Sequence, residues 1–176
     1  MSVYISTALT NSHEPELDNT RIGHDSITRR TNDAAIVTAS TETAGFAAAN
    51  AANETTYSYW QPTVLPGTWQ LGTGTKADEE MTDYVGIAAH TLGSQGATLQ
   101  WQYKIGAGSW TTRLEITPTD DTPILMLDEL STNTDASNGI LHRINIASQT
   151  GSELPKVGVV YMGQALKMQR TFVWRS

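Results

Sequence analysis

The chain contains no cysteine, so disulfide staples and thiolate zinc sites are excluded. It is also poor in charge. Of its 176 residues 16% are charged, and 11 basic residues face 18 acidic ones, for a net charge of −7. Neutralising phosphates takes clustered Lys and Arg, so this balance argues against a nucleic-acid partner. No run of about 18 apolar residues is present, and Met1 leads into a mixed polar stretch. Neither membrane insertion nor a secretory leader is expected. Catalytic signatures are missing as well: there is no Gly-x-Ser-x-Gly elbow, and His13, His24, His90 and His142 are scattered without metal-ligand spacing. For His90 and His142 the expected role is a strand-end or core imidazole with a satisfied hydrogen bond.

What the chain does have is Thr, about one residue in seven, with Gly and Val, a composition that favours strands. In Leu99-Gln100-Trp101-Gln102-Tyr103-Lys104-Ile105 every second residue is apolar, the pattern of a half-buried antiparallel strand. After the small residues Gly106 to Ser109 the alternation resumes, with Trp110, Thr112, Leu114 and Ile116 expected inward and Thr111, Arg113, Glu115 and Thr117 outward. Trp101, Trp110 and Leu114 are therefore expected in the core. Further strands are expected at Thr68–Leu71, Tyr84–Ala89, Ile124–Leu130, Ile140–Ile146 and Val157–Tyr161. An Ala-rich stretch, Gly45 to Ala52, reads as a loop with one helical turn. Seven or eight short strands without a long helix predict an all-β sandwich over residues 32–166. Residues 1–31 are polar and aperiodic, and predict an extended N-terminal arm making assembly contacts; 167–176 form a C-terminal tail.

The loops offer little chemistry. Gly72-Thr73-Gly74-Thr75-Lys76 lacks the spacing of a phosphate loop, and Asp78, Glu79 and Glu80 beyond it would repel a phosphate. Adjacent acids such as Asp120 and Asp121 ordinarily solvate a loop, so no catalytic residue is assigned and the chain is not expected to be an enzyme. Asn50, Asn53, Glu54, Asp120 and Asp121 are oxygen donors of the kind calcium takes, but no Asp-x-Asp-x-Asp-Gly loop frames them. No metal ligand or cofactor is assigned. Aromatics near polar loops, Tyr57, Tyr59, Trp60 and Trp110, either pack the ends of the sandwich or give flat faces for a sugar ring; Tyr57 and Trp110 are the candidates taken for the site, with Asn53 and Glu54 to bond the sugar's hydroxyls.

Several motifs occur in an order that resembles the galactose-binding-like jelly roll of the discoidin, or coagulation factor 5/8 C-terminal, type. Val37-Thr38-Ala39-Ser40 is followed by Ala49-Asn50-Ala51, Tyr59-Trp60-Gln61-Pro62 and Thr68-Trp69-Gln70-Leu71. The series continues with Asp83 to Gly93 and the hairpin ending Gly108-Ser109-Trp110, so the resemblance spans roughly three quarters of the chain. Two further segments, Thr20-Arg21-Ile22-Gly23 and Pro155 to Arg170, are similar to structural proteins of tailed bacteriophages that carry this module. The resemblance implies a homo-oligomeric virion component of the tail or tail tip, assembled in the host cytoplasm. Its partners would be other virion proteins, copies of itself and host-surface polysaccharide. The alternative is a purely architectural capsid-decoration or collar protein that binds no glycan. The Cys pair of the extracellular members is absent, and Asn53-Glu54 stands where many members have an acidic-Gly calcium turn.

Overall fold

In the computed structural model the described residues are 4–5, 21–26, 37–53, 55–71, 82–127 and 140–167. Period-two alternation gives them ten strands and one helical turn. In order these are β1 (Tyr4–Ile5), β2 (Arg21–Ser26), β3 (Val37–Ala39), α1 (Ala48–Ala51), β4 (Gly67–Leu71), β5 (Tyr84–His90), β6 (Thr98–Ile105), β7 (Thr111–Ile116), β8 (Ile124–Leu127), β9 (Ile140–Ser148) and β10 (Val157–Lys167). They form two five-stranded sheets. Sheet I has the order β3-β4-β9-β6-β7 and is antiparallel throughout; sheet II has the order β1-β8-β5-β10-β2, antiparallel except for β1 beside β8. The expected jelly-roll sandwich is the observed architecture.

The core lies between the sheets and is built around three indoles. Trp60, Trp69 and Trp101 are fully buried among Ile87, Leu92, Leu99, Ile124, Met126, Ile144, Ile146 and Met162. Each indole removes ~200 Å² from water, worth about 5 kcal/mol before ordering entropy. A buried indole N–H also needs an acceptor. Trp69 Nε1 donates to the Ala48 carbonyl at 2.9 Å, so the single turn of α1 is held where its first carbonyl can serve the core. Trp60 Nε1 donates to the Thr41 carbonyl at 3.1 Å, and Trp101 Nε1 to His142 Nδ1 at 3.3 Å.

One expectation about the hairpin is corrected. The pairs Leu99–Ile116, Gln100–Glu115 and Trp101–Leu114 follow simple alternation, but the next pairs are Gln102–Thr112 and Tyr103–Thr111. Arg113 is an extra residue, and such a bulge moves every residue on its far side to the opposite face. Thr112 therefore points outward and bonds Gln102, and Trp110 sits half-buried on the outside of sheet I rather than in the core. Arg113, expected outside, holds its guanidinium 5.1 Å above the buried ring of Trp101.

Part of the segment expected as a free arm is described. Residues 4–5 and 21–26 are extended, and they form the two edges of sheet II. β2 runs antiparallel to β10, with Gly23 opposite Ala165 and Arg21 opposite Lys167. The rest of 1–31, the tail after Lys167 and residues 128–139 lie outside the described residues.

Candidate functional site

The outer face of sheet I carries the largest organised set of polar side chains among the described residues. In β9 the buried residues His142, Ile144 and Ile146 alternate with Arg143 and Asn145, which turn outward. In β6 the outward set is Gln100, Gln102 and Lys104, and register places these beside the β9 pair. Asn145, Gln100 and Glu115 make one row; Arg143, Gln102 and Thr112 make the next.

Hydrogen bonds tie the rows together. Gln100 Nε2 donates to Glu115 Oε2 at 2.6 Å, while Gln100 Oε1 accepts from Gln102 Nε2 at 2.8 Å and Asn145 Nδ2 at 2.7 Å. Gln102 Nε2 also donates to Thr112 Oγ1 at 3.1 Å, and Gln102 Oε1 accepts from Arg143 Nε at 2.7 Å. Gln102 and Asn145 are only 8% and 9% exposed although they lie on an outer face. Their amides are thus fixed before any ligand arrives, which removes much of the side-chain ordering cost of binding. Beside the network Arg143 lays its guanidinium 4.0 Å from the centroid of Trp110, and Lys104 Nζ lies 5.1 Å from the same ring. Burial lowers the pKa of Arg143 from its usual value.

Of the four residues expected at one sugar site, Trp110 is not brought together with Tyr57 and Asn53. Trp110 belongs to the hairpin that follows Ile105, opposite Ile140 in β9. Tyr57 and Asn53 lie on the connection between β3 and β4, which leaves sheet I at the other end, where Gly67 pairs with Ile146. Glu54 lies outside the described residues. Tyr57 is 85% exposed, the most open large hydrophobic side chain described. Asn53 Oδ1 is occupied by its own loop: it accepts from the Thr55 N–H at 2.9 Å, from the Thr55 hydroxyl and from Ser58 Oγ at 3.1 Å.

Asp120 and Asp121 each commit one carboxylate oxygen to a backbone N–H. Asp120 Oδ1 accepts the Thr122 N–H at 3.0 Å, and the Thr122 hydrogen bonds hold its carboxyl below the usual range. Asp121 Oδ1 accepts the Ser94 N–H at 2.9 Å. Among the described residues no three His, Asp or Glu side chains gather to hold a metal ion. His90 is buried, with Nε2 2.8 Å from the Thr122 carbonyl and Nδ1 accepting the Leu92 N–H at 3.2 Å, so its partners select the neutral Nε2–H tautomer. His142 is buried too, but its Nε2 meets no partner. Desolvation first, and the Arg113 charge second, push its pKa down to about 3.

Sequence reasoning missed Arg143, Asn145 and the network as a unit. The alternation in β6 marked Gln100, Gln102 and Lys104 as outward, yet nothing in a single strand says which neighbour shares its face.

No protein-family model matches the chain, and no curated protein matches it by sequence. Solved structures do resemble it. Chitosan-binding module 1 of a chitosanase/glucanase from Paenibacillus sp. IK-5 superposes with a TM-score of 0.57 at 15% identity, over 80% of this chain and 100% of that one. The family 32 carbohydrate-binding module of Clostridium perfringens NanJ, solved with galactose, gives 0.52 at 15% identity, over 72% and 90%. Another Clostridium perfringens family 32 module, solved with GlcNAc-α-1,4-galactose, gives 0.51 at 11%, over 81% and 94%. The fold is that of a carbohydrate-binding-module jelly roll. Such modules are non-catalytic, although one similar chain joins its module to an alginate lyase domain.

Proposed function

We propose that this chain is a non-enzymatic, glycan-binding component of a tailed-bacteriophage virion, at the tail or tail tip, present in several copies beside other virion proteins. The observation that carries the glycan reading is the pre-ordered amide ladder on sheet I, with Gln100, Gln102, Asn145 and Thr112 in register next to the half-buried indole of Trp110. Flat arrays of planar donors and acceptors beside an aromatic ring are what saccharide hydroxyls and ring faces require. The jelly-roll fold supports the same reading. Assembly into copies would convert weak single contacts into avidity.

Support for the virion role comes from the two segments similar to phage structural proteins. Their described parts, β2 and β10, run side by side in sheet II, as expected if both belong to one shared structural unit. Assembly in the host cytoplasm is consistent with a chain that needs no disulfide.

The test is retention of the full chain on immobilised bacterial surface polysaccharides, with Trp110→Ala and Tyr57→Ala compared separately because the two residues lie at opposite ends of sheet I. Retention abolished by Trp110→Ala and untouched by Tyr57→Ala is the expected result. Retention lost only with Tyr57→Ala would move the site to the β3–β4 connection. No retention on any polymer, with the chain still found in particles by imaging, would favour the purely architectural role.

A further inference from the structure

Among the described residues, neither Arg143 nor Lys104 has a carboxylate within ion-pair distance, in a chain where acids outnumber bases by 18 to 11. Arg143 makes one hydrogen bond, through Nε to Gln102, and this fixes the plane of the guanidinium. Among the described residues neither of its Nη groups has a hydrogen-bond acceptor. The indole of Trp110 supports the cation from one side at 4.0 Å, so the ring backs the charge and leaves less of itself for sugar stacking. Lys104, two residues along β6 from Gln102, adds a second positive charge over the same ring. Glu115, the acid of this face among the described residues, sits in the next row and is held by Gln100.

A cation that is partly desolvated, fixed in plane and left without a counter-charge is an incomplete ion pair. A planar fork of N–H donors is completed best by a carboxylate or sulfate group. From this we infer that the outer face of sheet I selects an anionic saccharide, with the acidic group of a uronate or a sulfated sugar on Arg143 and Lys104 and its hydroxyls along Gln100 and Thr112, which Gln102 holds in place. This inference rests on the glycan-binding reading above and narrows it to a ligand class. Non-specific attraction does not explain such selectivity, because the net charge of the chain repels polyanions.

The test uses polymer pairs that differ in charge alone: polygalacturonate against the same polymer fully methyl-esterified, and dextran sulfate against dextran. The full chain is run in affinity gels at low and moderate salt. Retention on the charged member of at least one pair, and not on its neutral twin, is expected; which pair responds separates carboxylate from sulfate. Arg143→Gln should weaken retention about tenfold, the equivalent of one charge-assisted hydrogen bond. Arg143→Lys should recover part of it. Lys104→Gln, which touches no hydrogen-bond network, should weaken it a few-fold and guards against misfolding of the Arg143 variants. Lys156→Gln, which removes a cation lying over Tyr59 instead, should change nothing. Equal retention on charged and neutral twins would overturn the anionic selectivity and leave glycan binding intact. Retention unchanged in both Arg143→Gln and Lys104→Gln would overturn the assignment to this face. No retention on any polymer here or on the bacterial polysaccharide panel would overturn the glycan reading itself.

Discussion

His142 makes acid stability a direct probe of the core. Its ring is 2% exposed, its Nδ1 accepts the Trp101 N–H, and its Nε2 faces no acceptor that could stabilise an imidazolium. Burial, with the Arg113 guanidinium as the lesser cause, depresses its pKa to about 3 against 6.5 for the free group. Below pH 6.5 the unfolded chain binds a proton that the folded chain refuses. The stabilising contribution of neutral His142 is therefore complete above pH 6.5 and is lost as pH falls through the interval down to about 3. At about 1.4 kcal/mol per unit, the two units between pH 6.5 and 4.5 amount to about 3 kcal/mol. Urea unfolding of the wild type and of His142→Gln, each at pH 7 and pH 4.5, isolates the effect, because His90 and the carboxylates titrate in both proteins. Gln keeps an acceptor for Trp101 and carries no titratable group. The wild type should lose about 3 kcal/mol more than the variant between the two pH values. Equal losses within about 0.5 kcal/mol would show that His142 is protonated at little cost, and that the ring is neither dry nor next to Arg113.

Three further outcomes follow from the packing. Trp69→Phe removes the donor to the Ala48 carbonyl and part of a fully buried ring, and should cost about 2–3 kcal/mol in urea unfolding. Gly93→Ala should destabilise by about 2 kcal/mol or more, because a Cβ there would lie 2.0 Å from the Asp120 carbonyl oxygen; an unchanged melting temperature would refute that close approach. Gln102→Ala severs the bonds that hold Arg143, Gln100 and Thr112 in place, so it should cost about 2 kcal/mol and weaken polysaccharide retention more than Tyr57→Ala does.

The sandwich was legible because alternation is a strong signal wherever apolar residues mark both phases. β6 and β9 both show it, and the expected strands at 68–71, 84–89, 140–146 and 157–161 all lie within observed strands. The single helical turn in the Ala-rich stretch was legible as well, since Ala favours a helix and Gly45 and Asn50 limit its length. The candidate site was legible only residue by residue. Thr111, Thr112 and Arg113 are all polar, so they carry no phase information. Extrapolating back from Leu114 and Ile116 necessarily put Trp110 inside. Arg143 and Asn145 are visible as the polar positions of a strand, but their partnership with Gln100 and Gln102 depends on β9 lying beside β6, a long-range choice that local pattern does not encode. Tyr57 and Trp110 looked equivalent as aromatics near loops, and only topology separates the two ends.

The bulge in β7 connects the core to the surface. β7 is the edge strand of sheet I, where an extra residue disrupts one ladder rather than two. That insertion has two consequences of opposite kind. It turns Arg113 inward, above Trp101 and near His142, where its charge adds to the burial that keeps the imidazole neutral. It also turns Thr112 and Trp110 outward, where Thr112 anchors Gln102 and the indole backs Arg143. With strict alternation Trp110 would enter the interior, Arg113 would join the outer face, and Arg143 would lose the ring beneath it. The surface cation is therefore set by the backbone register of β7, which aims the indole of the preceding connection at Arg143.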